Sequence, residues 1–166
     1  MKYFADCKTV EEIKIRYRKL ALENHPDRGG NPETMKEINN QYEAALKNSD
    51  GQTFTDEKTD KSHTYKYNEQ IEKDLVEIIS KLIGLEGIDL LLIGRWLWIS
   101  GETKQHKEQL KAEGCKWHST RILWYWRSPH DKSFTRSGGD LSDLAEKYGA
   151  SIPRKQTRKK SLSSKS

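Results

Sequence analysis

The side chains best suited to recognition chemistry are His25 and Asp27, set either side of Pro26 in the segment Asn24-His25-Pro26-Asp27-Arg28-Gly29-Gly30-Asn31. A residue that precedes proline is pushed out of the α region, so a helix running into this segment must end near His25. Pro26 has a fixed φ and no N–H, which makes the turn stiff. A carboxylate on a stiff corner can receive a partner's arginine. An imidazole there offers an aromatic face and up to two donors. Little side-chain entropy is lost when such a corner docks. The arrangement suits binding. No Gly-x-x-x-x-Gly-Lys phosphate loop, Gly-x-Ser-x-Gly elbow or His-Glu-x-x-His is present, so catalysis by this chain itself is not expected. Cys115-x-x-His118, with His106 and His130 elsewhere, lacks the second short-spaced pair that structural zinc uses. No metal or other cofactor is expected. Cys7 and Cys115 read as two reduced thiols.

Two amphipathic helices must position the corner. Over residues 9–23, Val10, Ile13, Tyr17 and Leu20 recur at helical spacing. Thr9 can cap that helix, and Glu11 and Glu12 suit its first turn. Its other face is basic, with Lys14, Arg18 and Lys19, and Arg16 beside them as a solvated charge. Over residues 32–47, Met35, Ile38, Tyr42 and Ala45 or Leu46 form a second stripe, with Asn31 as N-cap and Pro32 at the first helical position. Similar lengths and a short connection predict an antiparallel hairpin.

Residues 50–67 are polar, without apolar periodicity, and read as a linker. Ile71, Leu75, Ile78 and Leu82 then predict a third helix, which Gly84 terminates. The largely apolar stretch 88–99 suggests one or two buried strands, broken at Ser100-Gly101. A polar helix is expected over 102–113, closed by Gly114. Residues 115–117 and 121–127 read as a strand pair or one long bent strand. Asp140 can cap a last helix carrying Leu141, Leu144, Ala145 and Tyr148, stopped by Gly149. The expected fold class is α+β: a helical hairpin over residues 1–49, a linker over 50–67, a small α+β unit over 68–150 and a basic disordered tail over 151–166.

The 166 residues allow one medium domain or two small ones, and with 33% hydrophobic and 33% charged residues a single large core is not expected. No apolar run approaches the roughly 18 residues of a membrane span. The N-terminal residues lack the apolar core of a secretory signal, so a cytoplasmic protein with no membrane partner is expected. The net charge of +5 is concentrated at one end, because residues 150–166 carry six basic side chains and no acid. Arg154, Lys155, Arg158, Lys159 and Lys160 could touch nucleic acid weakly and without sequence preference. All five tryptophans lie between residues 96 and 126. Trp96 and Trp98 share one face of a strand, and Trp124 and Trp126 share one face of another. They read first as the core of a small domain. The alternative is a stacking surface that, with Lys104, Lys107 and Lys111, contacts nucleic acid or an unfolded client.

His25-Pro26-Asp27 between a basic helix and a second amphipathic helix resembles the J domain of DnaJ-family co-chaperones. The flanks carry the resemblance as well: Tyr17-Arg18-Lys19-Leu20-Ala21 on one side, and Met35-Lys36-Glu37-Ile38-Asn39 with Tyr42-Glu43 on the other. The likeness covers about residues 3–47. It departs from the family pattern at Lys2-Tyr3-Phe4-Ala5-Asp6, where the first family helix is shrunken, and in having no evident fourth helix after Leu46. The family's cysteine repeats and Gly/Phe-rich stretch are absent too. The chain therefore resembles short, divergent J-proteins of phage or bacterial type with a Trp-rich C-terminal module. The resemblance implies that the chain binds the ATP state of a DnaK-type heat-shock protein 70 and stimulates its ATP hydrolysis. It implies that His25, Pro26 and Asp27 signal to that partner while Lys14, Arg18 and Lys19 dock on it. The second module would direct the chaperone to a client. The alternative is a nucleic-acid-binding adaptor that uses the Trp-rich module and the basic tail.

Overall fold

The computed structural model describes residues 2–56 and 60–132. The expected helix over 140–149 and the basic tail, with Arg154, Lys155, Arg158, Lys159 and Lys160, lie outside the described residues. Helix α1 spans Val10–Asn24 and α2 spans Pro32–Asn48. They are joined by a 3-10 turn, Pro26–Arg28. The caps are those the residues require: the Thr9 side chain accepts from the Glu12 N–H, and Asn31 accepts from the Glu33 and Thr34 N–H groups. The hairpin closes on Tyr17 and Tyr42, whose rings stack 4.1 Å apart.

Residues 50–67 are not a bare linker. Strands β1 (Thr53–Asp56) and β2 (Lys61–Thr64) pair antiparallel, with Thr53 opposite Thr64. Sequence periodicity misses this ribbon because Phe54 is its one large apolar side chain, and hydroxyl pairs such as Thr53 with Thr64 at 3.0 Å line the other face. It leads the chain back so that Tyr65 and Tyr67 pack on the core.

Helix α3 (Glu69–Leu82) ends at its Ile83 cap, as expected. Strands β3 (Ile88–Ile93), β4 (Trp96–Gly101), β5 (Lys116–His118) and β6 (Leu123–Arg127) form an antiparallel sheet in the order β3-β4-β6-β5. The stretch 88–99 is thus a hairpin, and β4 runs through Ser100-Gly101 rather than breaking there. The polar helix expected over 102–113 shrinks to α4, Lys107–Ala112, anchored by fully buried Leu110. Among the described residues no helix is long and apolar enough to cross a membrane.

The expected division into separate units over 1–49 and 68–150 does not describe the core. One apolar cluster runs from Phe4, Val10, Ile13 and Tyr17 through Ile38 and Tyr42 to Leu75, Ile79 and Leu82 of α3. It continues into Leu90, Leu92, Leu97, Ile99, Trp124 and Trp126 of the sheet. Helix α1 itself meets β3, and its Lys14 reaches the Gly94 carbonyl beyond that strand. Register fixes the sheet's two faces, because residues directly opposite across a ladder lie on the same side. Leu97 faces Trp126 and Ile99 faces Trp124, so these join the main cluster. Trp98 faces Tyr125 and Leu91, so it lies on the other side, in a second cluster with Leu91 and Ile93. The two tryptophan pairs therefore occupy opposite faces. Trp98, Trp124 and Trp126 are buried, Trp96 is half-buried, and Trp117 is 48% exposed.

Candidate functional site

The corner after α1 has the predicted stiffness. His25 caps α1 in an extended conformation, its N–H donating to the Ala21 carbonyl. It also caps the 3-10 turn, where its ring accepts from the Asp27 N–H. Gly30 N–H and Arg28 N–H both donate to the His25 carbonyl at 2.9 Å. Gly30 passes so close to α1 that a β-carbon there would lie 2.0 Å from the Asn24 carbonyl carbon. Only glycine closes this loop without moving the helix end.

The three residues His25, Pro26 and Asp27 differ in exposure. Pro26 is exposed, and the Asp27 side chain is 61% exposed. His25 does not project into solvent as expected, since its side chain is 7% exposed. Its Nε2 lies 2.8 Å from Ser80 Oγ of α3. Arg28 reaches the same helix, donating from Nη1 to the Ile83 carbonyl at 3.3 Å.

The predicted basic docking face is largely consumed by the fold. Lys19 stays exposed. Arg18 is half-buried, and its Nε has no hydrogen-bond partner among the described residues. Burial pulls its guanidinium pKa down, with Asp89 of β3 opposing. Lys14 does not lie on an exposed face. Its side chain is 5% exposed, and Nζ lies 3.2 Å from Glu72 Oε1 of α3. Nζ also donates to the Gly94 carbonyl at 2.7 Å, in the β3–β4 turn. Glu72 in turn accepts from Tyr65 Oη at 3.0 Å and Tyr42 Oη at 3.4 Å. Desolvation comes first among the causes that push both phenols up, and the Glu72 charge adds to it. Arg16, expected to be merely solvated, donates to the Tyr3 carbonyl at 3.1 Å and ties down the N-terminal segment.

The cations proposed for the second module lie on and just before α4. Lys107 and Lys111 are exposed on α4, and Lys104 lies in the turn before it. Lys111 pairs with Glu108 at 3.7 Å. Cys115 is buried, which pushes its thiol up to about 12. Among the described residues no group of three or more His, Cys, Asp or Glu side chains is placed to hold a metal ion.

Comparison with known proteins decides what the corner belongs to. A family model described as the DnaJ domain matches residues 5–52. These residues form a DnaJ domain. The J segment is similar to "DnaJ protein homolog 2" of Allium porrum, 57% identical over 35 residues, 21% of this chain and 8% of that protein. It is similar to "Chaperone protein dnaJ A6" of Oryza sativa subsp. japonica, 54% identical over 33 residues, 20% of this chain and 8% of that protein. It is also similar to the "Small t antigen" of Budgerigar fledgling disease virus, 55% identical over 31 residues, 19% of this chain and 21% of that protein. The chain spans 8% of the length of its plant relatives. No solved structure gives a significant match.

The J domain's supports lie beyond its own bounds. Ser80, Ile83 and Glu72, all outside residues 5–52, contact its corner and its basic helix. Nothing in the spacing of Ser80 marks it out. Glu72 does carry a signal: it is the one carboxylate on the otherwise apolar row with Leu75, Ile79 and Ile83.

Proposed function

We propose that this chain is a co-chaperone that binds a DnaK-type heat-shock protein 70 in its ATP state and stimulates ATP hydrolysis. One observation carries the reading: an exposed Asp27 carboxylate stands on a turn clamped by Pro26 and His25 at the end of a cationic helix. A carboxylate held this way can accept a bidentate arginine with little ordering cost. Lys19 adds steering charge beside it. The catalytic machinery is the partner's, and this chain supplies binding energy to one of the partner's states. On this reading the reaction is cytoplasmic, and the sheet unit directs the chaperone to a client.

The test is single-turnover ATP hydrolysis by a DnaK-type chaperone with and without this protein. Wild type should accelerate hydrolysis, and Asp27→Asn should abolish the acceleration. Losing one side of a desolvated charge pair costs about 2–5 kcal/mol of binding. Asp27 is exposed, so the variant's own stability should change by less than about 0.5 kcal/mol. Full stimulation by the Asp27→Asn protein would overturn the assignment.

A further inference from the structure

We propose that α3 is a working part of the docking corner, in which Ser80 holds the His25 ring and thereby sets the placement of Asp27. His25 is then a positioning residue rather than a contact of the partner. This rests on the co-chaperone reading given above.

Hydrogen-bond direction comes first. The Asp27 N–H can only donate, and it points at His25 Nδ1 from 3.2 Å. Nδ1 must therefore offer its lone pair, and the proton of the neutral ring sits on Nε2. Nε2 faces Ser80 Oγ at 2.8 Å, so the ring donates to the hydroxyl. One imidazole thus links α3 to the backbone of the residue that bears the signalling carboxylate. With the ring 7% exposed, its edges are already spent inside the chain.

Two further contacts come from the same side of the helix. Ser80, Ile83 and Gly84 are related as i, i+3 and i+4, so they lie on one face. The Ile83 carbonyl accepts from Arg28, the residue after Asp27. Gly84 lies against Asp27 itself: a β-carbon there would stand 3.0 Å from Asp27 Cβ and 3.1 Å from Oδ2. The end of α3 therefore clamps the residues on both sides of Asp27 and leaves room for its side chain. All three contacts come from outside the segment that matches the family.

The experiment uses the full chain with Ser80→Ala, Ser80→Thr and Gly84→Ala. Two readouts are taken: the imidazole nitrogen chemical shifts of His25, and single-turnover ATP hydrolysis by a DnaK-type chaperone. Thermal unfolding of each variant serves as a control. In Ser80→Ala the Nε2–H loses its acceptor, so the His25 Nε2 chemical shift should move while Nδ1 still accepts from the Asp27 N–H. Stimulation should fall about 3–10-fold, the weight of one net hydrogen bond. Ser80→Thr keeps the hydroxyl and should restore both readouts. Gly84→Ala should lower stimulation while leaving the Nε2 shift in place, because it displaces Asp27 directly. An unchanged Nε2 shift in Ser80→Ala would overturn the clamp. A moved Nε2 shift with wild-type stimulation would overturn the positioning role. Wild-type protein that stimulates no chaperone would instead sink the co-chaperone reading, and the nitrogen shifts would still decide whether Ser80 sets the ring.

Discussion

Removing the Lys14 ammonium should unfold the protein rather than weaken a docking surface. The side chains of Lys14 and Glu72 are 5% and 4% exposed, and they meet at 3.2 Å. Take Lys14→Ala. The Glu72 carboxylate then stays in the core with only the Tyr42 and Tyr65 hydroxyls as donors. The Gly94 carbonyl loses its donor too. Breaking a buried pair from one side costs about 3–5 kcal/mol, because an uncompensated charge remains. For a core of this size the unfolding entropy converts 1 kcal/mol into roughly 4 °C, so the midpoint should drop by roughly 10–20 °C. The double variant Lys14→Met with Glu72→Gln removes both charges and keeps volume. It should recover part of the loss, since no uncompensated buried charge remains. The assay is thermal and urea unfolding followed by far-ultraviolet circular dichroism and tryptophan fluorescence. If Lys14 lay on a free docking face, Lys14→Ala would unfold within a degree or two of wild type and the two substitutions would simply add. Either result refutes the reasoning.

Lys19→Glu should slow association with a DnaK-type chaperone at low salt, and the difference should fade as ionic strength rises, because exposed charges steer encounter; stopped-flow binding at two salt concentrations checks this. Stability should fall above about pH 9. Burial raises the Cys115 thiol to about 12 from an ordinary 9.0 and lifts the Tyr17 and Tyr42 phenols above 10.0. The unfolded chain therefore ionises first, so stability present below those ordinary values is lost as pH climbs toward the folded ones, by about 1.4 kcal/mol per group per pH unit. Urea midpoints at pH 8, 10 and 11 measure it, and a flat profile would contradict the burial of these groups. A fragment ending at residue 52 should show no cooperative unfolding transition by calorimetry, whereas residues 1–132 should.

The hairpin and its corner are readable from residues because several local signals agree there. Stripe, N-cap and proline position all mark the same two helices, and the Thr9 and Asn31 caps form as their side chains dictate. The fate of Lys14 is also written in the chain, though only as a pair of rows. Helical spacing sets Lys14 in line with Val10, Tyr17 and Ala21, all buried. The same spacing sets Glu72 in line with Leu75, Ile79 and Ile83. One cation in one apolar row and one carboxylate in another is the mark of a cross-helix pair. Treating every basic residue of α1 as a solvated or docking charge overlooks it. The placement of Ser80 against His25 had no such mark, because a hydroxyl on a helix flank has many fates and only the tertiary packing selects one. The β1–β2 ribbon carries a single apolar residue, Phe54, and one residue makes no hydrophobic period.

The match to the family stops at residue 52, but the physics of folding does not. Helices of 15 and 17 residues are marginal alone, and their stability must come from burying the apolar stripe. A two-helix hairpin buries each stripe only against the other. Here the N-terminal segment adds Phe4, which packs on Tyr42 at 6.1 Å, with Tyr3 and Cys7 partly buried beside the cluster. What closes the core is α3, whose Leu75 and Leu82 are fully buried and whose Ile71, Ile78 and Ile79 are nearly so. Each such side chain contributes about 1.5–3 kcal/mol. Leu90, Leu92 and Leu97 of the sheet belong to the same apolar cluster, and α1 itself contacts β3. The sheet is therefore part of the J domain's stability. Substitutions at the sheet–α3 contact should then reach the signalling corner, through Glu72 to Lys14 and through Ser80 to His25. The neighbouring unit is a structural part of this J segment, and the loop carrying Asp27 is held from both.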